Sequence, residues 1–531
     1  MSFISLQFTC FVIVSLILYY LVPKKWQWVI LLLAGYYFYF CTGIKNIAYI
    51  LITTATTYLS AIYIGNSVRS QSEYLKQNKE MLSRDEKKLY KQQMKKKQKL
   101  VLFLCIFVNL SILLFFKYAN MTIAYLNLFR LHFMHRTDFI GFLDIFLPLG
   151  ISFYTFQTIG YLADVYYGKY EPERNFFRYA LFVSFFPQMI QGPISRFKDL
   201  AGELYRERSF EFDRIKSGFY RVMWGLFKKL VIADRLSAYV SVSMEQRQQY
   251  PGLYLLFTIF FYSMQIYGDF SGGIDIALGV SELFGIRITE NFERPFFSKD
   301  IAEYWRRWHI TLGTWFRDYI FYPLSINKGI LNLGKAVRIK ISDPLGKRVP
   351  LYLPMIIVWI TTGMWHGAES KYVVWGLLNC LFIILGTEFK PVEEKLIRRF
   401  KINEGSFFLK LFRVIKTFWL MAFLRVFDIA PDTKAGFETI GLVFRSWKEF
   451  NINNIFEQLN LPIEEFTVAI IAIIIMFIMD LIQRKGSLRE RIFRLSTPVQ
   501  WVILSSLIFA VTVFGSYGMG YDAKQFIYLQ F

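Results

Sequence analysis

Residues 100–116 read LVLFLCIFVNLSILLFF, seventeen positions without a charge, and the segment before them, 87–99, reads KKLYKQQMKKKQK. An apolar run bordered by lysines is the pattern of a helix crossing a bilayer, which needs about 20 mostly apolar residues and keeps its basic flank in the cytoplasm. The pattern recurs at 4–22, 28–43, 47–65, 142–166, 176–194, 220–243, 252–270, 352–365, 371–388, 410–428, 466–483 and 499–519. The expectation is an all-α, polytopic integral membrane protein with about 11 to 13 membrane helices, re-entrant segments included. Several runs are short or broken by Gly and Pro, which lipid tolerates only where protein surrounds the break.

Composition agrees. Of 531 residues 54% are hydrophobic and only 19% charged, too few charges for a soluble chain of this length. The net charge of +22 lies mainly in short segments between apolar runs. There it sets topology and attracts anionic lipid headgroups, so membrane lipid is the expected partner and nucleic acid is not. The four cysteines, Cys10, Cys41, Cys105 and Cys380, fall in apolar stretches without a CxxC pair. They read as buried space-fillers, and neither a disulfide framework nor a metal site is expected.

The segment Ile4 to Val22 lacks a basic n-region and a small-residue cleavage pattern, and reads as a retained span. The basic runs at 87–99, 395–401 and 484–491 are expected in the cytoplasm. Counting spans from them puts both termini outside, in a multi-pass protein of the cell membrane. No long polar domain interrupts the chain, so one membrane domain over 1–531 is the economical reading, with 67–99 as its basic cytoplasmic segment.

Four histidines are present. His132 and His135, in LHFMHR, read as solvated loop residues. His309 lies in EYWRRWHITLGTWFRDYIFYPL, residues 303–324. Taken as one helix, this places Trp305, Leu312 and Phe316 on the face of His309, flanked by Arg306 and Arg317. Two readings stand side by side: an amphipathic interfacial helix, or a site whose arginines meet a phosphate-bearing ligand or Asp300, Glu303 or Asp318. His366 lies in ITTGMWHGAESKYVVWGLLNC, residues 360–380, near the start of an apolar run. An ionisable residue there is a functional candidate, and an imidazole can accept a hydroxyl proton near neutral pH.

Two further segments carry polar groups into apolar surroundings. YGDFSGGIDIALG, 267–279, holds Asp269 and Asp275, which must meet a cation, a backbone nest or water. Arg306, Arg307 and Arg317 are their expected partners. FFPQMIQGPISRFKDL, 185–200, sets Pro187, Gly192 and Pro193 around Gln188 and Gln191, a broken-helix pattern.

FPQMIQGPISRFKDL, GDFSGGIDIALG, NFERPFFSKDIAEYWRRWHITLGTWFRDYIFYPL and GMWHGAESKYVVWG, with LPLGISFYTFQTIGYLADVYYG at 147–168, resemble the membrane-bound O-acyltransferase family. Within it they are similar to the bacterial alginate O-acetyltransferase branch. The resemblance covers much of 145–380 and implies a helical core with a tunnel joining the two membrane faces. It implies His366 as catalytic base and His309 as its essential companion, able to polarise a carbonyl. Arg306, Arg307, Arg317, Asp269, Asp275, Trp365 and Gln188 become substrate-binding candidates, although Gly273-Ile274 departs from the Tyr-Ser that relatives often carry. The tail YDAKQFIYLQF, 521–531, resembles an aromatic motif whose tyrosine, here Tyr528, would hold the acyl group transiently.

The implied activity is transfer of an acetyl or other acyl group from cytoplasmic acyl-CoA, a donor substrate and not a cofactor, toward an extracytoplasmic polysaccharide. An SGNH-type acetyltransferase or a polysaccharide-synthesis complex would complete the transfer outside. D-alanyl transfer to teichoic acid and transport of a lipid-linked glycan are the alternatives, with a non-catalytic scaffold third.

Overall fold

The computed structural model describes residues 3–145, 147–445, 447, 462–484, 486–517 and 526. Helices dominate, and the one isolated β-bridge among the described residues joins Phe292 to Trp308. Among the described residues six helices are long and apolar enough to cross a membrane: Ile44–Gln77, Arg84–Met134, Asp343–His366, Ser370–Arg399, Ile463–Gln483 and Thr497–Phe514. Leu6–Leu21 is a shorter apolar helix. The chain is a multi-pass, all-α membrane protein.

Residues 100–116 sit inside a helix of 51 residues, Arg84–Met134. At 1.5 Å per residue it is about 76 Å long, more than twice the ~30 Å hydrocarbon core, so both ends project beyond it. The lysine run is therefore helical, and it starts at a capping box in which Ser83 and Glu86 satisfy each other's backbone N–H groups. Phe103, Leu104 and Phe107 are exposed on the protein surface, as lipid-facing side chains are. His132 lies in the last turn of this helix and not in a loop, and His135 caps it in the left-handed conformation. Both remain exposed. The cysteines also correct the sequence reading. Cys105 and Cys380 are buried, Cys10 and Cys41 are exposed, and all four are free.

The chain forms two compact units, Met1–Phe212 with Ser281–Thr289, and Asp213–Val280 with Glu290–Phe531. In the first, aromatic rings carry the packing. Phe11 meets Phe186, Tyr19 meets Phe284, and Tyr161 stacks among Tyr179 and Phe197. The 185–200 segment breaks as its prolines and glycine require. A helix ends at Ser184, a single turn covers Phe186–Met189, and helix resumes at Phe197.

In the second unit the helix Phe212–Leu226 continues through a π-helical turn, Phe227–Ala233, into Asp234–Glu245. It crosses Gly252–Leu283 at Gly225 and Gly272, where a Cβ on either would lie 2.6–2.8 Å from the other's carbonyl oxygen. Only glycine allows that approach. A second tight crossing joins Asp343–His366 to Ser370–Arg399, where a Cβ on Gly363 would lie 2.4 Å from the Tyr372 carbonyl oxygen. That crossing places His366.

Candidate active site

His309 does not sit on a continuous helix. Ile301–Arg307 ends before it and Ile310–Phe316 begins after it, with His309 at the junction at φ 47°, ψ 53°. A left-handed non-glycine residue costs about 1–2 kcal/mol and persists where its surroundings over-determine it. Here they do. Trp308 is extended and bridges Phe292, Glu293 N–H donates to the Arg307 carbonyl at 2.9 Å, and Ile310 N–H donates to the Asn291 carbonyl at 3.0 Å. The shared helical face expected for Trp305 and Leu312 is thus broken, because strand-like pairing with 291–293 replaces two helical hydrogen bonds.

The Asn291 side chain fixes the imidazole. Its Oδ1 accepts from Thr311 N–H at 3.0 Å and from Thr311 Oγ1 at 2.9 Å, and lies 3.3 Å from His309 Nδ1. A backbone N–H can only donate, so that oxygen is an acceptor and Nδ1 carries the proton. The lone pair is therefore on Nε2. The ring is 2% exposed, with Phe270 edge-on at 4.8 Å between centroids, and burial pushes its pKa well below the ordinary histidine value.

This burial has a pH consequence. A buried neutral histidine adds stability that is complete above the unfolded value, about 6.5, and is lost as pH falls below it, because only the unfolded chain takes up the proton. Between pH 7 and pH 5 the wild type is expected to lose about 2 kcal/mol more stability than His309→Asn, asparagine being tolerant of left-handed backbone. Unfolding midpoints at the two pH values check this, and equal losses would contradict it.

His366 ends the Asp343–His366 helix and is 7% exposed. Its ring lies 4.7 Å from Trp375 and 4.9 Å from Trp365, and runs nearly parallel to Tyr372 at 6.4 Å. Trp365 also meets His309, edge-to-face at 5.9 Å. The structure thus brings His309, Trp365 and His366 together, one indole touching both imidazoles. Trp305, Trp359 and Trp375 close this aromatic wall, and Trp305 Nε1 donates to Asn379 at 3.1 Å.

The other candidates are placed differently. Arg307 pairs with Glu303 at 2.6 Å, Arg317 with Asp318 at 2.9 Å, and Arg306 is exposed. Their expected pairing with the two aspartates is corrected. Asp269 pairs with Lys229 at 2.5 Å, and Asp275 with Arg221 at 2.9 Å and Lys228 at 2.6 Å. The Gly225–Gly272 crossing brings those cations in, and the π turn admits two consecutive lysines to the interior. Gln188, with Gln191, is buried in the first unit, and the amide atoms of both are without hydrogen-bond partners among the described residues. Tyr528 lies outside the described residues. Phe526 is 1% exposed, and Lys229 Nζ lies 4.5 Å from its ring centroid. Among the described residues no three metal-ligating side chains converge.

Residues 173–337 match the model of MBOAT, the membrane-bound O-acyltransferase family, a stretch that holds His309 and both aspartates. A probable alginate O-acetylase of Pseudomonas syringae pv. tomato is 33% identical over 386 residues, 72% of this chain and 66% of the relative. The chain belongs to the membrane-bound O-acyltransferase family. Other members diverge in acceptor. A peptidoglycan O-acetyltransferase of Helicobacter pylori is 32% identical over 55% of this chain and 56% of the relative. A teichoic acid D-alanyltransferase of Bacillus subtilis is 27% identical over 52% of this chain and 67% of its own length. The chain covers less than two thirds of the first of these relatives, and little more than half of the second.

Sequence reading missed Asn291, Lys228, Lys229, Arg221 and Arg425. Arg425 is 2% exposed, its guanidinium 4.0 Å from the Trp308 ring centroid and 2.6 Å from the Tyr304 hydroxyl, bracing the chain beside His309. The available signal was charge inside apolar runs, as in GLFKKLVIA, 225–233, and MAFLRVFDIA, 421–430.

Proposed function

We propose that this protein is an O-acyltransferase that takes an acetyl group from cytoplasmic acetyl-CoA and passes it across the membrane toward an extracytoplasmic polysaccharide. The observation that carries the reading is the convergence of two buried imidazoles on Trp365.

The two imidazoles take different roles. His366 accepts the proton of an attacking hydroxyl, whose oxygen bonds to the thioester carbonyl carbon. Collapse of the tetrahedral adduct breaks the C–S bond, and the leaving thiolate recovers a proton from the His366 imidazolium. His309 Nε2, as an acceptor, takes a hydrogen bond from an N–H or O–H of the bound substrate other than the reacting hydroxyl, whose single proton goes to His366. Polarising the carbonyl would require a protonated ring, which burial opposes, so positioning the substrate through an acceptor Nε2 is preferred. Tyr528 is the proposed first acceptor. An extracytoplasmic SGNH-type acetyltransferase or synthesis complex then moves the acetyl group to a glycan hydroxyl.

D-alanyl transfer from a carrier-protein thioester is the second reading, motivated by the teichoic acid relatives. The purified protein in lipid vesicles, offered labelled acetyl-CoA or labelled D-alanyl carrier, discriminates the two. Stoichiometric release of CoA with a labelled ester product is expected. Turnover confined to the carrier thioester would replace the proposal, and transport of a glycan without CoA release would remove it.

A further inference from the structure

The helices Ile44–Gln77 and Arg84–Met134 form an antiparallel hairpin whose outer part carries eleven basic and four acidic residues over 66–99. Gln98 Nε2 donates to Ser67 at 3.1 Å, and Tyr74 packs on Tyr90 at 4.6 Å, so the two helices are joined well beyond the apolar run. Between them lies a cleft of about 470 Å³, lined by Gln71 and Gln92 and by Arg84, Lys87, Lys88, Lys91 and Lys95.

Helical period explains the sign of this cleft. At 3.6 residues per turn the five cations fall within an arc of about 100°, while Asp85 and Glu86 fall outside it. Lys88, Lys91 and Lys95 make no ion pair among the described residues, and Glu86 is engaged in the helix cap. A concentrated, uncompensated positive face of this kind stabilises multiply charged anions.

We propose that this cleft binds a soluble small molecule carrying two or more phosphates, of the nucleotide class. Size supports it, because the volume falls within the ~300–1,000 Å³ range of ligand sites, and the five cations span about 16 Å along the axis. The glutamine amides supply donors and acceptors for the uncharged part of such a ligand. Position argues against lipid headgroups. Lys91 and Arg84 lie about 12 and 22 Å along the helix from Lys99, where the apolar run begins, against a screening length near 8 Å. The lysines at 96, 97 and 99 suit the bilayer surface, and the cleft suits a soluble anion. The inference is independent of the acyl-transfer reading.

Calorimetric titration of tripolyphosphate and of ADP into the full chain, held in phosphatidylcholine nanodiscs at low salt, tests it. Saturable binding is expected, weakened at least ten-fold in K88A/K91A and weakened by added salt in the wild type. Both positions are exposed, so the thermal midpoint of the variant should match the wild type. A parallel flotation with phosphatidylglycerol vesicles identifies the lipid source. Absence of binding, binding unchanged in the variant, or a variant defect confined to vesicle association would each overturn the proposal.

Discussion

Replacing His366 by Ala is expected to lower the rate of acyl transfer by about 10²–10⁴-fold, the range that a positioned general base supplies. The variant should fold. The imidazole ends a helix and packs edge-on against Trp365 and Trp375, and the glycine crossing that fixes the helix pair is untouched. His309→Ala should be similarly slow if Nε2 positions the substrate for the same attack. The double variant should then be no more than a few-fold slower than the worse single, since groups serving one attack step are non-additive. Initial rates of CoA release by the three variants in vesicles check this. Multiplicative losses would separate the two histidines into independent roles.

Lys229→Met is expected to cost about 3–5 kcal/mol, the largest stability effect in the second unit. Lys229 is 1% exposed and pairs with both Asp269 and Asp234, themselves 1% and 3% exposed. Removing the ammonium leaves two buried carboxylates without their shared cation, and desolvation of each must be met by protonation or unfolding. Adding Asp269→Asn to Lys229→Met should recover part of the loss, because it removes one stranded charge. Denaturation midpoints in detergent measure both. A loss below about 1 kcal/mol, or no recovery in the double variant, would mean that water reaches these groups.

Much of this was legible before coordinates. Apolar runs near 20 residues announce spans because lipid leaves backbone no other option, and the runs 47–65, 100–116, 352–365, 371–388 and 466–483 fall within the six long apolar helices, whereas 142–166 and 220–243 do not. The break at 185–196 was written in two prolines and a glycine. What escaped notice depended on distant partners. Nothing within 303–324 says that residues 291–293 will pair beside Trp308 and flip His309 out of helix. The partners of Asp269 and Asp275 come from about 40–55 residues earlier, through a glycine crossing that has no local signature. The basic composition of 87–99 is plain in the sequence, yet its helical register, which turns a charge run into one positive face, required the helix to extend sixteen residues beyond the apolar run.

The central claim is that the two imidazoles around Trp365 move an acyl group off CoA. Its most direct test is label transfer from acetyl-CoA by the purified protein in sealed vesicles, wild type beside His366→Ala. Wild-type vesicles should release one CoA for each acetyl ester formed, with the ester on the face opposite the donor, and the variant should do neither above background. Full transfer by His366→Ala would contradict the claim.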